Sequence, residues 1–218
     1  MQTPPDMPAP DPETPNSETP DPAILNSGTD AGDYPSYRGQ YLIATPAMGD
    51  HRFRKTVIFL CAHDASGAMG LVVNRAKMDL VISDLLDHVG VDGTPRVADA
   101  PVLDGGPVDI DRGFVLHSRD WFRDDQTMSV SDTLGLSTTK DALEALVGDN
   151  APDRAMLAVG YAGWGPGQLE AEIADNAWLL AGGDDALVFG EDMDGKWAQA
   201  LARIGVSPEQ LSAFGGRA

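Results

Sequence analysis

Apolar positions along this chain fall into short runs rather than long periodic stretches. The segments 41–45 (YLIAT) and 56–62 (TVIFLCA) are apolar and rich in β-branched or aromatic residues, and both predict strands. Turn chemistry at 63–70 (HDASGAMG) separates the second from a third strand at 71–74 (LVVN), so the two are placed to pair as a hairpin. Further strands are predicted at 101–105, 113–118 and 127–131, and the nearly continuous apolar run 154–162 (RAMLAVGYA) has the pattern of a central strand buried on both faces. Segment 177–181 (AWLLA) resumes strand character. Helical spacing appears at 79–89, where Val81 or Ile82, Leu85, Leu86 and Val89 share a face, and at 138–147 behind a threonine cap. It recurs after the glycine loop, with Leu169 and Ile173 inward, and at Trp197, Leu201 and Ile204. Ser207, Pro208 and Gln210 supply the cap, first-turn proline and capping-box partner of a short last helix. Strands in clusters with helices at irregular intervals predict an α+β domain, because a doubly wound parallel sheet alternates more strictly.

Composition separates the first 36 residues from the rest. They hold nine of the 16 prolines and seven acids, with no Lys or Arg, and are expected to form a disordered tail ahead of a single domain over 37–218. The tail lacks the basic start and apolar run of a signal peptide. Apolar runs elsewhere stop well short of the roughly 20 residues that span a bilayer, so a soluble chain with no membrane partner is expected. The lone cysteine, Cys61, accords with a reducing cytoplasm. Net charge is −19, and −12 without the tail acids, with 15 scattered Lys and Arg. That balance weighs against direct nucleic-acid binding, which exchanges a basic surface for phosphate counterions.

Four blocks in order resemble one family: GQYLIATPAMGDHRFRKTVIFL, GAMGLVVNR, LDGGPVDIDRGFVLH and YAGWGPGQLEAEIADNAWLL, spread from Gly39 to Leu180. Together they are similar to the YqgE/AlgH family of bacterial proteins. The resemblance implies one α+β domain with a mixed, partly barrel-like sheet flanked by helices. It brings no established chemistry, only the family's label of transcriptional regulator, which rests on no recognised DNA-binding motif.

Two glycine loops are the candidate sites. Around Trp164, residues Gly163, Gly165 and Gly167 permit close backbone approach, and Gln168 and Glu170 stand in the first turn of the following helix. The loop has no Lys, Arg or Ser and matches no phosphate-binding fingerprint, so a strand-to-helix joint and a ligand contact are both open readings. The second loop, Gly105, Gly106 and Pro107, is followed by Arg112, suited to a carboxylate or phosphate or to a local ion pair, and by His117. If the loops frame one groove, the chain is a regulatory protein binding a small anionic ligand or a protein partner. An enzyme would use His117 and Glu170 there as acid–base groups. Cys61 and His63, two apart on a strand, are expected to face the same side, but no second pair completes a metal site. No cofactor and no catalytic residue is assigned.

Overall fold

The computed structural model describes residues 34–95 and 100–214; of the expected tail, residues 1–33 lie outside the described residues. Among the described residues ten strands form one sheet. They are β1 (Tyr41–Ala44), β2 (Val57–Asp64), β3 (Gly67–Val72), β4 (Ala76–Val81), β5 (Pro101–Asp104), β6 (Val108–Ser118), β7 (Thr127–Ser129), β8 (Leu134–Ser137), β9 (Ala155–Trp164) and β10 (Trp178–Ala181). The main path runs β10-β1-β2-β3-β9-β6-β8-β7, with β5 beside β9 and β4 beside β5. All pairings are antiparallel except β5 with β9, so the sheet is mixed, and it curls into a half-barrel. The helices are α1 (Ile82–His88), α2 (Lys140–Ala145), α3 (Gln168–Ala174), α4 (Asp185–Val188), α5 (Lys196–Arg203) and α6 (Pro208–Phe214). Among the described residues no helix is long and apolar enough to cross a membrane.

Alternation along the strands sorts side chains into separate cores. Tyr41, Ile43, Val57, Phe59 and Cys61 join Trp197, Ala200 and Leu201 of α5 on one face. Leu42, Ala44, Ile58 and Leu60 meet Leu169 of α3 on the other. A third cluster packs α1 and α2 against Val115, Leu157 and Val159. The alternation breaks once in β2, where the register against β3 shifts between Leu60 and Ala62. The extra residue leaves Cys61 and Ala62 both in the α5-side core. His63 is thereby turned to the α3 side, where it stacks on Tyr37, a residue packed against the α3-side core. The expectation that Cys61 and His63 share a face is corrected by this bulge, because one inserted residue inverts the parity of everything after it.

The glycines of the second loop have a steric explanation. Strand β5 lies along one edge of β9 and β6 along the other, so the connection between them must pass over the β9 backbone. It does so at Gly105 and Gly106, directly against Gly160 and Tyr161. A Cβ on Gly105 would sit 2.2 Å from the Gly160 carbonyl oxygen, and one on Gly160 would sit 2.4 Å from the Gly106 carbonyl oxygen. Gly160 also adopts φ 76°, in the left-handed region. The Gly105 amide donates to Val159 O, and the Val72 amide to Gly105 O, tying β3, β5 and β9 at this point.

Sequence periodicity recovered the β2–β3 hairpin, the central position of β9 and the reciprocal bonds between Ser207 and Gln210 at the start of α6. It missed β8, whose Gly135 weakens the strand signal. A Cβ on Gly135 would lie 2.5 Å from Thr127 Cγ2 and 3.0 Å from His117 Cε1, so the neighbours require glycine there. The helix expected from residue 79 begins at Ile82, because the preceding residues are taken as a strand by β5. The threonine cap of α2 is not made: Thr139 Oγ1 donates to Gln126 Oε1 instead.

Lys196 is 1% exposed and anchors α5, donating from Nζ to Val73 O at 2.7 Å and Val188 O at 2.8 Å. Burial lowers its pKa to about 8, against a smaller opposing pull from Asp192.

Gly160→Ala is expected to destabilise the protein by at least about 3 kcal/mol, combining left-handed strain with a clash against backbone that cannot yield. Chemical denaturation should show a lower midpoint; an unchanged midpoint would mean that the crossing has room to relax.

Candidate functional site

Adjacent strand ends build one corner. Across β2, β3 and β9 the residues His63, Ala68 and Trp164 stand in register, and the chain leaves β9 through Gly165, Pro166 and Gly167 into α3. Gly167 takes φ 72°, the turn that lets the helix fold back over the sheet. The Gly165 amide donates to Gln168 Oε1 at 3.0 Å, and Gln168 Nε2 donates to Glu172 Oε1 at 2.9 Å. Glu172 Oε2 accepts from the indoles of Trp164, at 3.0 Å, and Trp178, at 2.7 Å. The two rings meet edge to face and are almost wholly buried, so Trp164 packs beneath the loop. Much of the first glycine loop is therefore a braced joint, with Pro166, Gly167 and Gln168 exposed at its tip.

Glu170 lies two positions before Glu172, about 200° around the helix at roughly 100° per residue, and so faces elsewhere. Its Oε1 accepts from the hydroxyl of Tyr34 and from His63 Nε2, the latter at 2.8 Å. The tautomer of His63 follows from its other nitrogen, since Nδ1 accepts the Tyr37 amide at 2.9 Å and must carry the lone pair. Nε2 then carries the proton and donates to Glu170. The imidazole side chain is 1% exposed and the Glu170 side chain 33% exposed, so the carboxylate is the open member of the pair. Burial works to raise the Glu170 pKa, but hydrogen bonds from Tyr34, its own amide and His63 together hold it below the ordinary value. The same bond to Glu170, with burial, pushes the Tyr34 hydroxyl up to about 12.

This arrangement limits the chemistry. A metal ligand at Nε2 needs the lone pair there, and the Tyr37 amide dictates the opposite tautomer. With both nitrogens engaged, His63 has no free base to offer a substrate. A carboxylate with one exposed side is suited to a hydrogen-bond donor or a cation. An anion would face Glu170 and Glu172, with only a seven-residue helix behind the loop. Tyr34 and Ser36, assigned by composition to the tail, are packed at this corner.

The other candidate residues are not brought here. Gly105 and Gly106 lie against Gly160, five residues before Gly165, or roughly 16 Å along an extended strand. The two glycine loops therefore do not frame one groove. Pro107 and Arg112 line an open cleft of about 610 Å³ with Asp109, Ile110 and Asp111. Arg112 pairs with Asp109 at 3.9 Å and lies over the Phe114 ring, the local pairing that was one of its two readings. His117 is 0% exposed, with Nδ1 donating to Ser118 O and Nε2 accepting from Ser137 Oγ. Burial lowers its pKa. It pairs across from Ala155 at the start of β9, whereas Glu170 follows the end of that ten-residue strand, so the expected His117–Glu170 acid–base pair is corrected. The histidine that meets Glu170 is His63. The bulge in β2 hid it, and no local signal in the sequence marks that bulge.

Glu172→Ala leaves two buried indole donors unpaired at about 1–3 kcal/mol each, so thermal unfolding should shift down clearly with a change in tryptophan emission. An unshifted midpoint would mean water reaches both indoles. Burial holds the folded His117 pKa below the ordinary histidine value of about 6.5, so its neutral form is favoured by folding and its contribution is lost as pH falls through and below 6.5. The stability advantage of the wild type over His117→Gln should narrow over that window in a pH series of melts. A constant difference would show that His117 does not titrate on folding.

The AlgH-like family model matches residues 41–209. A UPF0301 protein of Ruegeria pomeroyi is 51% identical over 181 residues, covering 83% of this chain and 98% of that one. Another from Caulobacter vibrioides is 46% identical over 181 residues, covering 83% and 93%. Among solved structures, the AlgH protein of Pseudomonas aeruginosa superposes with a TM-score of 0.68 at 37% identity, covering 86% of this chain and 97% of that one. A Corynebacterium diphtheriae protein at 20% identity shares the fold, with a TM-score of 0.62 over 88% and 96% of the two chains. The chain belongs to the AlgH-like, UPF0301 family of uncharacterised bacterial proteins.

Proposed function

We propose that this protein is a binding protein with a regulatory role, and that its recognition site is the corner formed by Glu170, His63 and the exposed loop tip Pro166–Gln168. The observation that carries this reading is the convergence of Tyr34 Oη and His63 Nε2 on one oxygen of a carboxylate that is one-third exposed, at 33%. The ligand class that suits it is a hydrogen-bond donor: a phenol, an ammonium or a guanidinium. Catalysis is the weaker reading, because the lone pairs of His63 and His117 are both committed within the chain. A role on DNA lacks a supporting basic surface, given 34 acids against 15 Lys and Arg. A cytoplasmic location agrees with the single cysteine being buried in the core.

Thermal shift of the full chain with tyrosine amide, arginine amide and lysine amide, and with phosphate and acetate as anions, tests the proposal. A ligand at about 100 times its dissociation constant adds roughly 2.7 kcal/mol of apparent stability. The donors should stabilise the wild type, and Glu170→Gln should lose that effect. Stabilisation by the anions alone, or an equal donor effect in Glu170→Gln, would overturn it.

A further inference from the structure

Residues 34–37 reach the corner in no regular secondary structure, held mainly by two residues of the domain. Tyr34 Oη donates to Glu170, and Ser36 Oγ donates to the carbonyl of His63 at 2.8 Å. The Tyr37 amide donates to His63 Nδ1, and its ring stacks on the imidazole with centroids 4.9 Å apart and planes 8° from parallel. This is the grip of a peptide-binding site: backbone and hydroxyl bonds fix the register while aromatic stacking supplies contact area. Immediately downstream, Gly39 takes φ 77° and its amide donates to Leu60 O at 2.8 Å, so a turn separates these contacts from β1. The turn lies between the strap's contacts and the pairings of β1 with β2 and β10, so release of the strap would leave those pairings intact.

Charge works against the strap. The sequence up to residue 36 carries seven acids and no Lys or Arg, and Asp33 is the chain neighbour of Tyr34, whose hydroxyl meets the Glu170 carboxylate. Like charges brought together weaken the closed arrangement, and a segment with basic flanks would gain where this one loses.

We infer that residues 34–37 are an internal occupant of the Glu170 site, and that the external ligand is an extended protein segment bearing a tyrosine flanked by basic residues, which binds by displacing them. The inference rests on reading this corner as a binding site and names its ligand and its regulation. Removing the strap's hydroxyls without removing its rings should open the site, since its two hydroxyl bonds to the domain are lost while Tyr37 still packs. Salt should favour the strap by screening its repulsion.

The test uses full-length protein and a fluorescein-labelled peptide of residues 33–40 carrying Asp33→Lys. Fluorescence anisotropy should show the peptide binding the Tyr34→Phe, Ser36→Ala variant about tenfold tighter than the wild type. Adding Glu170→Gln to that variant should remove the binding. A second readout needs no variant: on the wild type, saturating peptide should speed hydrogen exchange at the Tyr37 amide. Equal affinity for wild type and variant, or binding indifferent to Glu170→Gln, would overturn the inference, as would an unchanged Tyr37 exchange rate under saturating peptide. If tyrosine amide and arginine amide bind through Glu170 but the peptide does not, the internal occupant is wrong and the donor site stands. If neither binds, both fail.

Discussion

The fold depends on one close passage of backbone over backbone. Strand β9 is shared by β3 and β5 along one edge and by β6 along the other, and the chain can join β5 to β6 only by crossing it. At van der Waals contact between main chains there is no volume for side chains, so Gly105, Gly106 and Gly160 are a steric requirement. Because the crossing pins β9 midway, the strand's far end is held rigidly at the place where the chain turns into α3. The candidate corner thus stands on a strand fixed from three directions. Its precision comes from sheet pairing, while the loop supplies only the reversal.

Two carboxylates on α3 divide the labour of that corner. Glu172 is saturated by two indoles and an amide, and it ties the loop and β10 to the helix. Glu170, on another side of the same short helix, is shared between His63 and the hydroxyl of Tyr34. One acid closes a core and the other leaves an oxygen toward solvent. Helical geometry alone makes this possible, since two positions along the chain place neighbouring acids in different surroundings.

Legibility in the sequence followed the same physics. Strands with unbroken alternation or continuous apolar runs, such as β1, β2 and β9, were readable because burial imposes the pattern directly. Strand β8 was not, since its glycine is demanded by Thr127 and His117, neighbours that only the tertiary fold supplies. Of the candidate site, Glu170, Gln168 and the loop tip were legible, but the partner histidine was misassigned. Parity counting along β2 put His63 beside Cys61, and one extra residue between Leu60 and Ala62 reversed the outcome. A bulge is a property of two strands together, so neither strand's sequence announces it. The glycines of the crossing were visible as glycines, but their purpose depends on a contact more than fifty positions away in the chain.

The chain's single cysteine continues the Val57 and Phe59 face and sits at 0% exposure in the core beneath α5, with burial raising its thiol pKa. A thiol so placed is chemically silent while the sheet and α5 remain together. Covalent capture of Cys61 by a disulfide reagent therefore counts openings of the core one molecule at a time. The protein carries its own clock for how often the half-barrel comes apart, with no second cysteine to confuse the reading.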